Sequence, residues 1–187
     1  MQAEAPRRRP MRQIGLLITL LLLTSPLAGC TSDDSETVES FPTFSTTADN
    51  GETYDNQRMA GSPYIVVFSA EWCNSPCYTT MHAIWAAKAE LPVLVMSTDP
   101  AEGAGGYTLA EWHESADAHD DEGEDTGVSL TTYAFMKGSD VATELDITRP
   151  GSLAFVNEEG VVSFLHEGRM DDTQEILSHW IDAGGTA

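Results

Sequence analysis

The chain has 187 residues, 41% of them hydrophobic, with 9 Lys and Arg against 30 Asp and Glu, for a net charge of −21 at pH 7. So acidic a chain is repelled by nucleic acid and by anionic lipid surfaces, which makes both poor partners and argues against nucleic-acid binding. The acids are spread along the chain as well as clustered between Asp117 and Asp125, and Lys88 and Lys137 are the only lysines, the pattern of a solvated acidic surface suited to a salty, halophilic-type medium.

Arg7, Arg8, Arg9 and Arg12 precede an uncharged apolar stretch, Ile14 to Leu23, followed by Leu27-Ala-Gly-Cys30. A basic start, a short apolar core and small residues read as a signal peptide over residues 1–29. Its core falls short of the about 20 residues that a spanning helix needs. The end of this segment resembles the lipobox of secreted lipoproteins, which implies lipidation of Cys30 and anchorage to the extracytoplasmic face of the cell membrane. An ordinary signal peptide or uncleaved anchor, with Cys30 incidental, is the alternative. Without residues 1–29, five basic residues face 29 acidic ones, a net charge near −24. Residues 30–40 are polar, acidic and without apolar period, as a flexible tether is. The folded domain is then expected over residues 41–187, about 145 residues, enough for one well-buried core.

Within it, Asp49-Asn-Gly51 between Thr-rich segments predicts a small hairpin. Gly61-Ser-Pro63 introduces a first central strand, Tyr64 to Ser69, whose unbroken apolar run predicts burial on both faces. Cys73 and Cys77 follow at a predicted helix start, where unpaired N–H groups and the macrodipole favour a thiolate. Cys73 is the expected nucleophile. Exported, with Cys30 spent on lipid, the remaining two cysteines are free to pair. In a helix their Cα atoms would lie about 6 Å apart, within the roughly 4.4–6.8 Å that disulfides tolerate. Pro76 falls in the first turn, where a missing N–H costs little.

The helix is expected from Pro76 to Ala89 and ends at Leu91-Pro92; Val93 to Ser97 then reads as a parallel strand, which puts the thiols at the carboxyl end of the first strand. Thr98 to Gly138 reads as an insertion, with helical potential from Thr108 to Ala118 and an exposed acidic loop around Asp120 to Gly127. That loop lacks the alternating spacing of a calcium site. Gly151 to Val156 and Val161 to Leu165, joined by Asn157-Glu-Glu-Gly160, predict an antiparallel hairpin. Asp171 or Asp172 can cap a last helix with Ile176, Leu177, Trp180 and Ile181 on one face. Trp85 is expected on a core face with Met81, and Trp112 in the insertion.

Phe41-Pro-Thr-Phe44, the Asp49-Asn-Gly51 turn, Gly61-Ser-Pro63, Phe68-Ser-Ala-Glu-Trp-Cys73, Pro150 and the Asn157-to-Gly160 turn stand in an order that resembles thioredoxin-like proteins, in particular the membrane-tethered TlpA/ResA type. The resemblance implies an α/β fold: a central mixed sheet flanked by helices, with an N-terminal hairpin and an insertion after the second central strand. It implies a thiol–disulfide oxidoreductase with no cofactor beyond the disulfide. Cys73 is then the attacking thiol, Cys77 the resolving thiol, and Pro150 a cis-proline facing the disulfide. Trp72 would pack beside the disulfide as a groove floor. Partners would be exported proteins with thiols or disulfides and a membrane or secreted electron partner, the chain itself being a monomer.

Three features depart from the family pattern. The cysteine spacing has one residue more than Cys-x-x-Cys. The buried acid that the family carries six residues before its first cysteine falls on Val67, leaving Glu71 as the nearest acid by sequence, either a proton carrier or a solvated side chain. Arg149 precedes Pro150, where it can set a cation beside the thiols or point into solvent. The Cys-x-x-x-Cys spacing, with Ser97-Thr-Asp-Pro100, also resembles the Sco-type copper chaperones of respiratory oxidase assembly, in which two thiols and a distant His bind copper; soft thiolates suit Cu(I). Arg149-Pro-Gly-Ser152 stands where that family has its His. His113, His119 and His166 remain as candidates, while His82 and His179 read as helix-surface residues. Peroxide reduction lacks its motif before Cys73, and zinc lacks paired ligands.

Overall fold

The computed structural model describes residues 39–87, 92–100, 106–119 and 127–186. The expected signal peptide, Cys30, most of the tether, the acidic stretch 120–126 and the end of the helix expected from Pro76 to Ala89 lie outside the described residues.

In chain order the elements are β1 (Ser45–Thr47), β2 (Thr53–Asp55), α1 (Asn56–Met59), β3 (Tyr64–Ser69), α2 (Ser75–Ala86), β4 (Val93–Ser97), α3 (Leu109–Asp117), β5 (Ala134–Lys137), α4 (Ser139–Glu144), β6 (Ser152–Val156), β7 (Val162–His166) and α5 (Thr173–Asp182). The expected hairpin forms: β1 and β2 pair antiparallel, and Gly51 takes a φ of 79° at the turn, which glycine adopts at no steric cost. The main sheet has the order β5-β4-β3-β6-β7. β3 pairs parallel with β4, and β4 with β5, while β6 runs antiparallel to both β3 and β7.

β3 is central, and its residues are buried on both faces as the unbroken apolar run requires. Successive side chains point to opposite faces of a strand, so two cores form. Ile65 and Val67 join Val93, Val95, Phe135, Leu153 and Phe155 under α2, α3 and α5. Tyr64, Val66 and Phe68 join Leu94, Met96, Met136 and Ala154, closed by Phe41, Phe44, Met59 and α4. Gly138 sits where β5 passes Met96; a Cβ there would stand 2.6 Å from the Met96 Cβ, so the close approach needs glycine. Among the described residues, no helix is long and apolar enough to cross a membrane.

Three expectations change. The segment Thr98 to Gly138 is not wholly an insertion, since Ala134 to Lys137 is a strand of the main sheet. Trp85 is 39% exposed, whereas Trp112 is fully buried, edge-on to Phe135 at 4.9 Å: α2 turns Met81 inward and Trp85 outward, and α3 lies on the sheet. Ile181 is exposed, and the buried face of α5 is Ile176 and Trp180. Asp172 is the cap, accepting from the Gln174 and Glu175 N–H groups, while Asp171 pairs with Arg169.

Candidate redox site

β3 ends at Ser69, and the chain turns at once: the Cys73 N–H donates to the Ala70 carbonyl at 2.8 Å. Asn74 is the N-cap of α2, Pro76 falls in its first turn and Cys77 is its third residue. Pro76 lacks only an N–H that a helix start leaves unused. Cys73 and Cys77 form a disulfide, with Cα atoms 5.9 Å apart. Cys73 is 8% exposed and Cys77 is sealed at 0%. An incoming thiol or disulfide therefore meets Cys73 first. Tyr78 follows Cys77; burial, and then the nearby Tyr107 phenol, push its pKa up, so it stays neutral.

The flanking residues differ from expectation. Trp72 is 61% exposed, its ring N–H donating to Asp99 Oδ1 at 3.3 Å. Glu71 is not solvated but fully buried. Beyond the end of β3 the turn folds it across the ends of β4 and β5, where the Lys137 ammonium pairs with its Oε1 and the Ser97 hydroxyl donates to the same oxygen at 3.4 Å. Ser97 Oγ in turn accepts from the Asp99 N–H at 3.2 Å. A cleft of about 590 Å³ opens beside this pair, bordered by Asp49, Tyr107, Thr108 and Glu111.

Pro150 reaches the same end of the sheet, because the Gly151 N–H donates to the Phe68 carbonyl at 2.7 Å. Its peptide bond is nevertheless trans, as no described peptide is cis. Gly151 has a φ of 94°, and a trans proline followed by a left-handed glycine is the order a type II turn favours; a cis proline would need the third turn position. The Ser152 hydroxyl closes the turn on the Arg149 carbonyl at 2.6 Å. Arg149 itself is exposed.

No protein-family model matches the chain, and no curated protein matches it. Solved structures do. The structure of MTB DsbF in its mixed oxidized and reduced forms aligns at a TM-score of 0.58 and 18% identity, over 79% of this chain and 99% of that one. A thio-disulfide isomerase from Thermus thermophilus aligns at 0.60 and 18%, over 80% and 97%. A SCO1/SenC family lipoprotein from Bacillus anthracis str. Ames aligns at 0.57 and 13%, over 79% and 96%. The fold is thioredoxin-like.

On this thioredoxin-like frame Val67 lies in the apolar layer with Tyr78 and Met81 of α2, so no carboxylate stands on the strand beneath the helix. Among the described residues, the fully buried acid is Glu71. The histidines are spent elsewhere. His113 uses both ring nitrogens, on Asp49 Oδ2 at 2.7 Å and the Leu130 carbonyl at 2.9 Å. His82 is buried, not on the helix surface, with Nε2 on the Ala116 carbonyl at 2.7 Å, because α3 packs over it. His119 lies edge-on to Tyr78 and His82, His166 bonds the Arg169 carbonyl, and His179 stacks on Phe164. Among the described residues no group of three or more His, Cys, Asp or Glu is placed to hold a metal ion. Among the described residues, no third such donor joins the two sulfurs in a group of this kind. Lys137 and the Asp49–His113 pair escaped the sequence reading; one signal was there for Lys137, a rare lysine closing the apolar run Tyr133-Ala-Phe-Met136.

Proposed function

We propose that the chain is an extracytoplasmic thiol–disulfide oxidoreductase, held to the membrane by lipid on Cys30 and exchanging disulfides with exported proteins. The observation that carries this reading is the Cys73–Cys77 disulfide at the β3–α2 junction, with Cys73 slightly exposed and Cys77 fully buried. In the reducing direction the Cys73 thiolate attacks one sulfur of a substrate disulfide, and the other substrate sulfur leaves as a thiolate and takes a proton. Cys77 then loses its proton and attacks Cys73 Sγ in the mixed disulfide. The substrate departs with two thiols, two electrons have passed to it, and the Cys73–Cys77 bond is closed. Run backwards, the same steps oxidise. Pro150 and the exposed Trp72 border the thiols and shape what approaches. No cofactor takes part, the working unit is a monomer, and a membrane or secreted partner resets the pair.

Equilibration of the whole chain in glutathione buffers, read by thiol trapping, is expected to give a reversible two-electron couple between roughly −120 and −300 mV. Absence of such a couple, together with tight one-to-one Cu(I) binding by the reduced chain, would replace this reading with copper delivery, the function suited to soft thiolates. Lipid anchorage has its own test. Cys30→Ser is expected to move the protein from the membrane fraction to the soluble one; retention in the membrane would mean that the amino-terminal segment is an uncleaved anchor.

A further inference from the structure

β7 is the last strand of the main sheet, and Val162 to His166 carries neither lysine nor proline, the residues that commonly blunt an open edge. Successive residues of a strand bond to opposite neighbours, so the pairings inside the sheet show which groups of β7 are left over. The Ile65 N–H donates to the Pro92 carbonyl, and the Ser69 carbonyl accepts the Thr98 N–H. Odd residues of β3 therefore bond to β4, and even ones to β6. Even residues of β6 are thereby turned to β3. Leu153 and Phe155 are left to bond with their β7 partners His166 and Phe164, and the Leu165 N–H and carbonyl fall on the outer side. The Leu165 side chain is itself exposed.

At its first residue that outer side is already taken. The Val162 N–H donates to the Glu39 carbonyl at 2.9 Å and the Phe41 N–H to the Gly160 carbonyl at 2.8 Å, while Ser40 pairs antiparallel with Val161. This pairing aims the preceding chain along β7. Glu39 turns its carbonyl to β7, so Thr37 and Ser35 come next on that side. The register shift between Phe155 and Val156 gives β7 one extra residue, which sets Thr37 opposite Leu165 and Val38 opposite Phe164. Val38 is the one apolar residue between Cys30 and Phe41, Phe164 is a partly buried residue at the margin of the core, and Thr and Val both favour strands. We propose that residues 35–38 dock on the outer edge of β7 as a sixth strand of the main sheet.

The direction of this strand carries a functional consequence. β6 runs antiparallel to both β3 and β7, so β7 is parallel to β3, and its His166 end lies at the end of the sheet where β3 leads into Cys73. A strand docked antiparallel to β7 climbs to that end. Glu36 falls opposite His166, and from there to Cys30 the chain spans at most about 20 Å. With lipid on Cys30, the docked strand holds the Cys73–Cys77 disulfide towards the membrane, and its partners are proteins that present thiols or disulfides at the membrane surface. This consequence rests on the proposed lipid anchor; the docking itself does not.

The test is amide hydrogen exchange on the full-length chain in detergent, resolved by residue. Thr37→Pro removes an N–H turned to β7 and is expected to speed exchange of the Leu165 amide about tenfold or more, through local opening of the edge. Val38→Pro removes an N–H turned away from β7, where proline is tolerated, and is expected to leave that rate near the parent value. Exchange at Ala154, inside the sheet, shows that each variant is folded. A Leu165 amide that exchanges in the parent as fast as an exposed one, or equally in all three chains, would overturn the proposal. Protection that grows with protein concentration would also overturn it, by placing a second copy of the chain on β7. The membrane consequence has its own readout. With the reduced chain in membranes, a maleimide carrying a long polyethylene glycol is expected to reach Cys73 several-fold faster in Thr37→Pro than in the parent, and at equal rates in detergent. Equal rates in both settings would overturn that orientation. Amide exchange needs neither lipid nor a disulfide partner, so the docking and the proposed function fail separately.

Discussion

Cys73→Ser is expected to abolish disulfide exchange, and Cys77→Ser to leave a chain that forms one mixed disulfide and goes no further. The asymmetry follows from burial: Cys73 keeps a sliver of exposed surface and Cys77 has none. A serine hydroxyl is not ionised at neutral pH and is a far weaker nucleophile than a thiolate, so the loss at position 73 should be on the order of a thousandfold or more, as when other enzymes lose a nucleophile. With Cys77 absent, the attack that releases the substrate has no thiol to perform it, and the adduct accumulates. Non-reducing electrophoresis after incubation with a disulfide-bonded protein reads both outcomes: a trapped adduct for Cys77→Ser and none for Cys73→Ser. The reverse pattern would exchange the roles of the two residues. If instead the bond were only a staple, its removal would appear as lost stability. A loop of five residues restrains the unfolded chain by only about 2 kcal/mol, which denaturant unfolding of the reduced chain would measure.

Local signals carried the parts of this molecule that were legible. The apolar run of β3, the Asn-Gly turn of the first hairpin and the Asn157-to-Gly160 turn each fix structure within a few residues, and the structure has all three. The cysteine pair was legible for the same reason, since Pro76 marks the first turn of the helix that presents it. What was hidden depends on distant partners. Glu71 has no apolar period around it, and the lysine that accompanies it into the interior lies 66 residues away. β5 is a strand of only four residues on the sheet edge, too short for periodicity to separate it from a loop. His82 is buried because α3 arrives over it, which nothing in α2 foretells. The cis form of Pro150 came from resemblance alone, although Pro150-Gly151 was in plain view as a pair that turns the chain with proline trans.

The burial of Trp112 gives the largest expected effect on stability and tests whether α3 belongs to the core or rides on it. Trp112→Ala is expected to cost about 3–5 kcal/mol, the range for removing a large buried aromatic side chain. That is a third or more of the stability of many domains. The indole is fully buried and meets Phe135 of β5 edge-on, with ring planes at 90°. The neighbouring His113 stacks on the same Phe135 ring at 4.3 Å and fastens α3 to the first hairpin through Asp49, which also accepts the Phe135 N–H at 2.9 Å. Collapse into the space left by the indole is therefore resisted from both sides, and the cavity term should be felt in full. Urea unfolding should show a lower midpoint at an unchanged slope, the mark of lost stability without a change in the surface exposed. Heating should show a melting temperature lower by about 6–20 °C, at roughly 2–4 °C per kcal/mol for a chain of this size. A cost under about 1 kcal/mol would mean that α3 is a peripheral insertion after all, because only a helix free to lift away can lose its central tryptophan so cheaply. The redox pair offers an internal control: Cys73 and Cys77 form a small cluster with Ala70, apart from the layer that holds Trp112. The reduction potential of the folded variant should therefore stay at the parent value while its stability falls.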